Sequence, residues 1–328
     1  MSLYSPKHVT FLFLTGLIPA ILAPTASKAG ETFDVHKEKA QEDAIRKAHG
    51  LTPDTRERVP DGTGRGMVAP PWAPGSLLGL SLNGIGYHGG PVMLGTTNVY
   101  YIWYGNWSNN TATTILTKLA SSIGGSPYYN INTTYYNGSG TRVSNAVHYA
   151  GATNDAYSQS ATLTNAGVQA VVSKAITAGA LPKDPNGLYF VLTSKDVAES
   201  SGFCTQYCGW HTHSVIGGAD IKFAFVGNPD RCPSACSVQT TSSPNNNPGA
   251  DGMASVIAHE LEEAVTDPQL NAWYDMSGNE NADKCAWTFG TVSKASNGSF
   301  YNMTLGGSQY LIQQNWVNAR GGYCAVKY

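Results

Sequence analysis

From about residue 80 onward, apolar and polar positions fall into short blocks with two different periods. Residues 97–107, TNVYYIWYGNW, form a β-branched and aromatic run that predicts a buried strand. Over 111–123 the apolar residues Ile115, Leu116, Leu119 and Ile123 recur at helical spacing. Residues 130–157, rich in Tyr, Asn, Thr and Gly, predict irregular strands and loops. A second helix is expected over 163–178, with Asn165 as its candidate cap. GLYFVL (187–192) and ADIKFAFV (219–226) read as two more strands, the second alternating at its start. Residues 249–266 predict a third helix, and 311–318 a late strand or turn region. No internal repeat is visible. Helices and strands alternate, which predicts an α/β (or, more broadly, α+β) domain: a mixed β-sheet with packed helices.

The first residues follow a different pattern. Lys7 provides a basic start, residues 9–23 are mostly apolar, and Ser27-Lys28-Ala29 is a small-x-small cleavage sequence. Residues 1–29 are therefore expected to be a signal peptide cut after Ala29. The apolar run is too short for a membrane anchor and is broken by Pro19 and Pro24. No later segment has the length to span a bilayer. A secreted, extracellular protein is expected, or a periplasmic one in a Gram-negative host. Residues 30–68 then hold fifteen Asp, Glu, Lys and Arg, followed by a Pro- and Gly-rich stretch. Residues 30–75 thus read as a charged pro-segment or flexible tail with a linker, and 76–328 as the globular domain.

Composition narrows the possible partners. The formal net charge is −2, so no basic excess points to nucleic acid or an anionic membrane. Seven Trp and eighteen Tyr argue for a packed core despite the low charge. An even count of six cysteines behind a signal peptide implies disulfides. The expected pairs are the local Cys204–Cys208 and Cys232–Cys236, and the long Cys285–Cys324. The alternative is that the two C-x-x-x-C pairs share a zinc ion.

The chemistry concentrates in IAHELEEAVTDP, residues 257–268. At about 100° per residue, Met253, Val256, Ile257, Leu261, Ala264 and Val265 form one apolar stripe. His259 and Glu263, four apart, stand one above the other at its edge. Glu260 falls inside the stripe, and Glu262 on the opposite, polar face. A carboxylate on a buried stripe needs a cation, a metal-bound water or its own proton. His259-Glu260-x-x-Glu263 is a variant of the helical zinc-protease motif, in which the intervening Glu polarises a zinc-bound water. A carboxylate in place of the second His lowers the metal's Lewis acidity and leaves calcium as the alternative to zinc. Asp267 lies one turn further on the same face, and Pro268 ends the helix. The third ligand is expected from Asp283 first and Glu280 second. His211 is the competitor, with His213 at i, i+2 on the same side of an extended strand.

Several stretches together resemble the EXORDIUM-like, phosphate-induced protein family. They are Tyr87-His88-Gly89-Gly90-Pro91-Val92, Tyr101-Ile102-Trp103-Tyr104-Gly105, Cys208-Gly209-Trp210-His211, the helix through Glu263, Ala272-Trp273-Tyr274, and residues 280–285. The resemblance covers roughly 85–328 and implies an extracellular protein, in plants associated with the cell wall and growth responses. It supplies no reaction. The order of elements is also similar to the minimal zincin layout, in which 219–226 would be the edge strand beside a cleft where a peptide adds. Two functions follow as expectations. One is a secreted, zinc-dependent, zincin-like peptidase acting on an extracellular peptide, with Glu260 as general base and His259, Glu263 and Asp283 around the metal. The other is a non-catalytic extracellular binding or signalling protein whose partner is a cell-wall component.

Overall fold

The computed structural model describes residues 84–275 and 278–328. The expected signal peptide and charged segment lie outside the described residues. Five strands build the main sheet: β1 (Thr97–Tyr104), β2 (Val147–Asp155), β3 (Gly187–Thr193), β4 (Gly209–Ile216) and β5 (Ala219–Val226). Their order across the sheet is β2-β1-β3-β5-β4. The first four run parallel, and β4 runs antiparallel to β5. β1 is buried at every position except Asn98, and β3 at every position, as expected of parallel strands covered on both faces. Three helices accompany the sheet: α1 (Ala112–Ser122), α2 (Asn165–Thr177) and α3 (Pro248–Thr266). α2 packs on β3 and β5, while α3 packs on β4, β5, β3 and α1. The result is the expected mixed α+β architecture.

Most predicted elements fall where the periodicity puts them, and two expectations need correction, the α2 cap and the edge strand. The α2 cap is Thr164, whose hydroxyl accepts the Gly167 N–H at 3.0 Å, not Asn165. Within the region expected to hold irregular strands and loops, residues 147–155 are a strand paired with β1, with a register shift between Val99 and Tyr100. β2 occupies the sheet edge and is only partly buried, so its apolar signal is weak. Ala219–Val226 is not the edge strand: it lies between β3 and β4. Gly217 and Gly218 have φ of 58° and 81°, the two left-handed residues a tight hairpin turn requires. That turn folds β4 back onto the outer side of β5 and makes β4 the edge.

The same hairpin overturns two disulfide expectations. Gly209 at the start of β4 lies opposite Val226 at the end of β5, so the segments flanking the hairpin run side by side. Cys204 therefore pairs with Cys232, and Cys208 with Cys236, across the two C-x-x-x-C segments rather than within them. Cys285–Cys324 forms as expected. All six cysteines are thus oxidised, which removes the shared-zinc alternative for the C-x-x-x-C pairs.

After α3 the chain runs through short two-stranded pairs. Trp273–Tyr274 pairs with Gly86–Tyr87, and Asn315–Val317 with Tyr323–Ala325. Asn315–Val317 packs on the 3-10 turns Tyr129–Thr134 and Asp283–Cys285, and the Asn315 side chain reaches Glu262 on α3. No helix among the described residues is long and apolar enough to cross a membrane.

Candidate metal centre

α3 begins where its sequence says it should. Asn247 accepts the Ala250 N–H at 3.1 Å and Pro248 occupies the first turn, where its missing N–H costs nothing. Every residue from Met253 to Thr266 is buried. The expected polar face is therefore not a solvent face. Glu262 is fully buried, with its carboxylate accepting from the Asn315 side chain and its backbone carbonyl from Asn281 Nδ2 at 3.2 Å. Burial pushes the Glu262 carboxyl well above the usual carboxylate range, with Asn315, Asn132 and His259 pulling it partly back. The physical reason for the misplacement is that the 3-10 turn Tyr129–Thr134, which packs on α3 and brings Asn132 to Glu262, together with Asn315, covers the face that helical periodicity alone assigns to water.

The candidate site lies on the adjoining side of α3, about 60–100° around the helix from Glu262. His259, Glu260 and Glu263 are all 0% exposed, and His211 and Glu280 are 1% and 3% exposed. His259 Nε2 lies 2.9 Å from Glu263 Oε1, the i, i+4 contact expected from the helix, and 3.6 Å from Asp283 Oδ1. Asp283 reaches the helix because the chain returns through the 3-10 turn Asp283–Cys285, stapled by Cys285–Cys324. Its N–H donates to Glu263 Oε1 at 3.1 Å, and its Oδ2 accepts the Glu280 N–H at 3.1 Å. From β4, His211 Nε2 lies 3.1 Å from Glu280 Oε2 and 3.7 Å from Glu263 Oε2. Two sets of potential ligand atoms result, each within 4.8 Å of one another: His259, Glu263 and Asp283, and His211, Glu263 and Glu280.

All five residues proposed as ligands from the sequence are thus brought together, including both rivals for the third position. Two neighbours are not. His213 follows His211 on β4 but pairs with Asp220 Oδ1 at 2.6 Å. Asp267 closes the turn after α3, accepting the Asn271 and Ala272 N–H groups at 2.6 and 2.7 Å. Burial raises the Asp267 carboxyl to about 7 despite those donors. Glu260 belongs to neither set, but it packs on the start of β4. A Cβ built on Gly209 would stand 2.9 Å from Glu260 Oε1 and 2.5 Å from Val256 Cγ1, so glycine there is what admits the helix. Gly209 and Asn315 escaped sequence reasoning. The signal for Gly209 was its place in Cys208-Gly209-Trp210-His211.

Charge in this cluster is finely placed. Burial disfavours a charged His259, yet Glu263, Asp283 and Glu260 outweigh it and hold the imidazole well above its usual range. Imidazole nitrogens and carboxylate oxygens form a donor set that suits zinc, and the share of oxygen also suits harder cations.

A family model described as the phosphate-induced protein 1 conserved region matches residues 85–325, so nearly all of the described chain falls within it. The chain belongs to this family of EXORDIUM-like and phosphate-induced proteins. It is 33% identical over 277 residues to Protein EXORDIUM-like 3 of Arabidopsis thaliana, covering 73% of this chain and 81% of that protein. Protein EXORDIUM-like 5 of the same plant is 33% identical over 270 residues, 70% of this chain and 74% of the relative. Protein PHOSPHATE-INDUCED 1 of Nicotiana tabacum is 27% identical over 215 residues, 57% of this chain and 66% of the relative. None of these names specifies a reaction. No solved structure matches the chain.

Proposed function

We propose that this protein is a metal-dependent hydrolase, a zincin-like peptidase that acts outside the cytoplasm. One observation carries the reading: fully buried Glu260 sits on α3 beside the His259–Glu263 pair, with Asp283 and His211 brought to the same face from separate elements. Burying that many ionisable groups together is costly unless they serve a bound ion. The placement of α3 against a mixed sheet with one antiparallel edge strand, β4, supports the same reading. In this role β4, rather than Ala219–Val226, offers the edge along which a peptide adds.

The chain's own residues divide the work. His259, Glu263 and Asp283 would hold the ion, each anchored by a helix or by the disulfide-tied return. Glu260 takes the proton from the attacking water and delivers it to the leaving amine, since it is on the helix next to His259 and outside the ligand sets. A divalent ion here would polarise the scissile carbonyl and acidify the water. The carboxylate in place of a second helical histidine moderates that acidity.

A second reading is a non-catalytic extracellular binding or signalling protein in which the same centre is structural. It is favoured by family membership, since the relatives' names carry no reaction, and by the burial of the ligand side chains, because structural metal sites are closed. Elemental analysis of the purified protein, followed by hydrolysis of a peptide library with and without chelator, separates the two. Cleavage lost on chelation supports the peptidase. Bound metal without cleavage leaves the structural reading. Metal-free wild-type protein overturns both.

A further inference from the structure

The donor groups form two sets, not one, and they meet at a single side chain. Glu263 turns Oε1 toward His259 at 2.9 Å and Oε2 toward His211 at 3.7 Å. Each imidazole has a second carboxylate beside it: Asp283 Oδ1 at 3.6 Å from His259, and Glu280 Oε2 at 3.1 Å from His211. The two sets share Glu263 and no other member. We infer that the centre holds two divalent cations bridged by the Glu263 carboxylate, one ligated by His259 and Asp283 and the other by His211 and Glu280.

This inference rests on the metal reading above and extends it. Each ion receives one imidazole, one carboxylate of its own and one oxygen of Glu263. Three protein ligands leave a position open on each ion, as a hydrolytic site requires. A carboxylate bridging through its two oxygens suits ions about 3.5–4 Å apart, the spacing of two-metal hydrolytic sites. The anchoring supports the division. Asp283 commits Oδ2 to the Glu280 N–H and presents Oδ1 to His259, so one return loop supplies an acid to each position. The imidazoles come from different elements, α3 and β4, and approach Glu263 at different oxygens. Charge agrees as well. Glu260, Glu263, Glu280 and Asp283 contribute four carboxylates, which two dications balance when both imidazoles are neutral, the form in which they bind metal.

The test is stoichiometry on the whole protein. Metal is removed by chelation, the protein is titrated with Mn²⁺, and bound ion is counted by elemental analysis while the paramagnetic resonance spectrum is recorded. About two ions per chain are expected, with the six-line signal of an isolated ion replaced by that of a coupled pair as the second enters. Glu280→Gln and Asp283→Asn should each halve the content and restore the isolated-ion spectrum. One ion in wild type, with an isolated-ion spectrum, overturns the bridged pair but leaves the mononuclear reading standing. No bound ion overturns both. Should a variant fail to fold by circular dichroism, the wild-type count and spectrum decide alone.

Discussion

The Cys285–Cys324 bridge ties the return segment that carries Glu280 and Asp283 to the C-terminal strand pair, and its removal makes a quantitative test of that arrangement. The two cysteines are 39 residues apart. In the chain-entropy model a loop of this length constrains the unfolded state by about 4 kcal/mol. A domain of this size loses about 2–4 °C of melting temperature per kcal/mol, so Cys285→Ala/Cys324→Ala should melt about 8–16 °C lower. The bridge also has a local consequence. Cys285 ends the turn that begins at Asp283, and Cys324 sits in the strand paired with Asn315–Val317. Freeing it should loosen Asp283 and Glu280 and weaken ion binding as well as stability. Scanning calorimetry under non-reducing conditions, with metal titration of both proteins, reads both effects. The Cys204→Ala/Cys232→Ala variant is the control, and a smaller loss is expected. There Cys208–Cys236, with the same separation of 28, still closes nearly the same loop. A drop of less than about 3 °C for the Cys285/Cys324 variant, or unchanged ion affinity, would refute the reasoning.

Two further substitutions probe the packing and electrostatics around the centre. Gly209→Ala places a methyl group 2.5 Å from Val256 Cγ1 and 2.9 Å from both the Phe225 carbonyl oxygen and Glu260 Oε1, so it should cost about 1–3 kcal/mol in urea unfolding; a neutral result would mean that α3 does not need its close approach to β4. Asp267 has its folded pKa raised to about 7 from an ordinary 3.8, so between those values the folded state binds more protons than the unfolded one. Its contribution is therefore most favourable below about pH 4 and is lost as pH rises through about 7, at roughly 1.4 kcal/mol per pH unit. Asp267→Asn keeps an acceptor for the Asn271 and Ala272 N–H groups but cannot ionise, so the stability difference between variant and wild type should shift toward the variant from pH 4 to 8. Parallel stability profiles would show that Asp267 does not titrate in this range.

The local parts of the structure were legible in the sequence, and the non-local parts were not. α3, with its breaker Pro268 and its His259, Glu260 and Glu263 placements, follows from 3.6-residue periodicity and needs no partner to define it. β1 and β3 were readable because parallel strands buried on both faces are continuously apolar. β2 was read only as part of an irregular region because a sheet-edge strand with partial exposure carries mixed residues. The cross-paired disulfides depend on the β4–β5 hairpin, and its Gly217-Gly218 turn was the clue left unread. Glu262 was expected on a polar face because a helical wheel knows one buried face and not the Tyr129–Thr134 turn and Asn315 that cover the other. Asp283, Glu280 and His211 were named as alternatives because sequence separation says nothing about which of three distant residues meets a helix. All three do.

The central claim, that Glu260 is the base of a metal-dependent hydrolase, is tested most directly by peptide-library hydrolysis with wild-type protein and Glu260→Gln at matched fold and metal content. The variant preserves the shape of the side chain and removes its ability to take a proton. Wild type should cleave, and Glu260→Gln should keep its metal while losing about 10²–10⁴-fold in turnover. Equal turnover by the two proteins, or no cleavage by fully metal-loaded wild type, would contradict the claim.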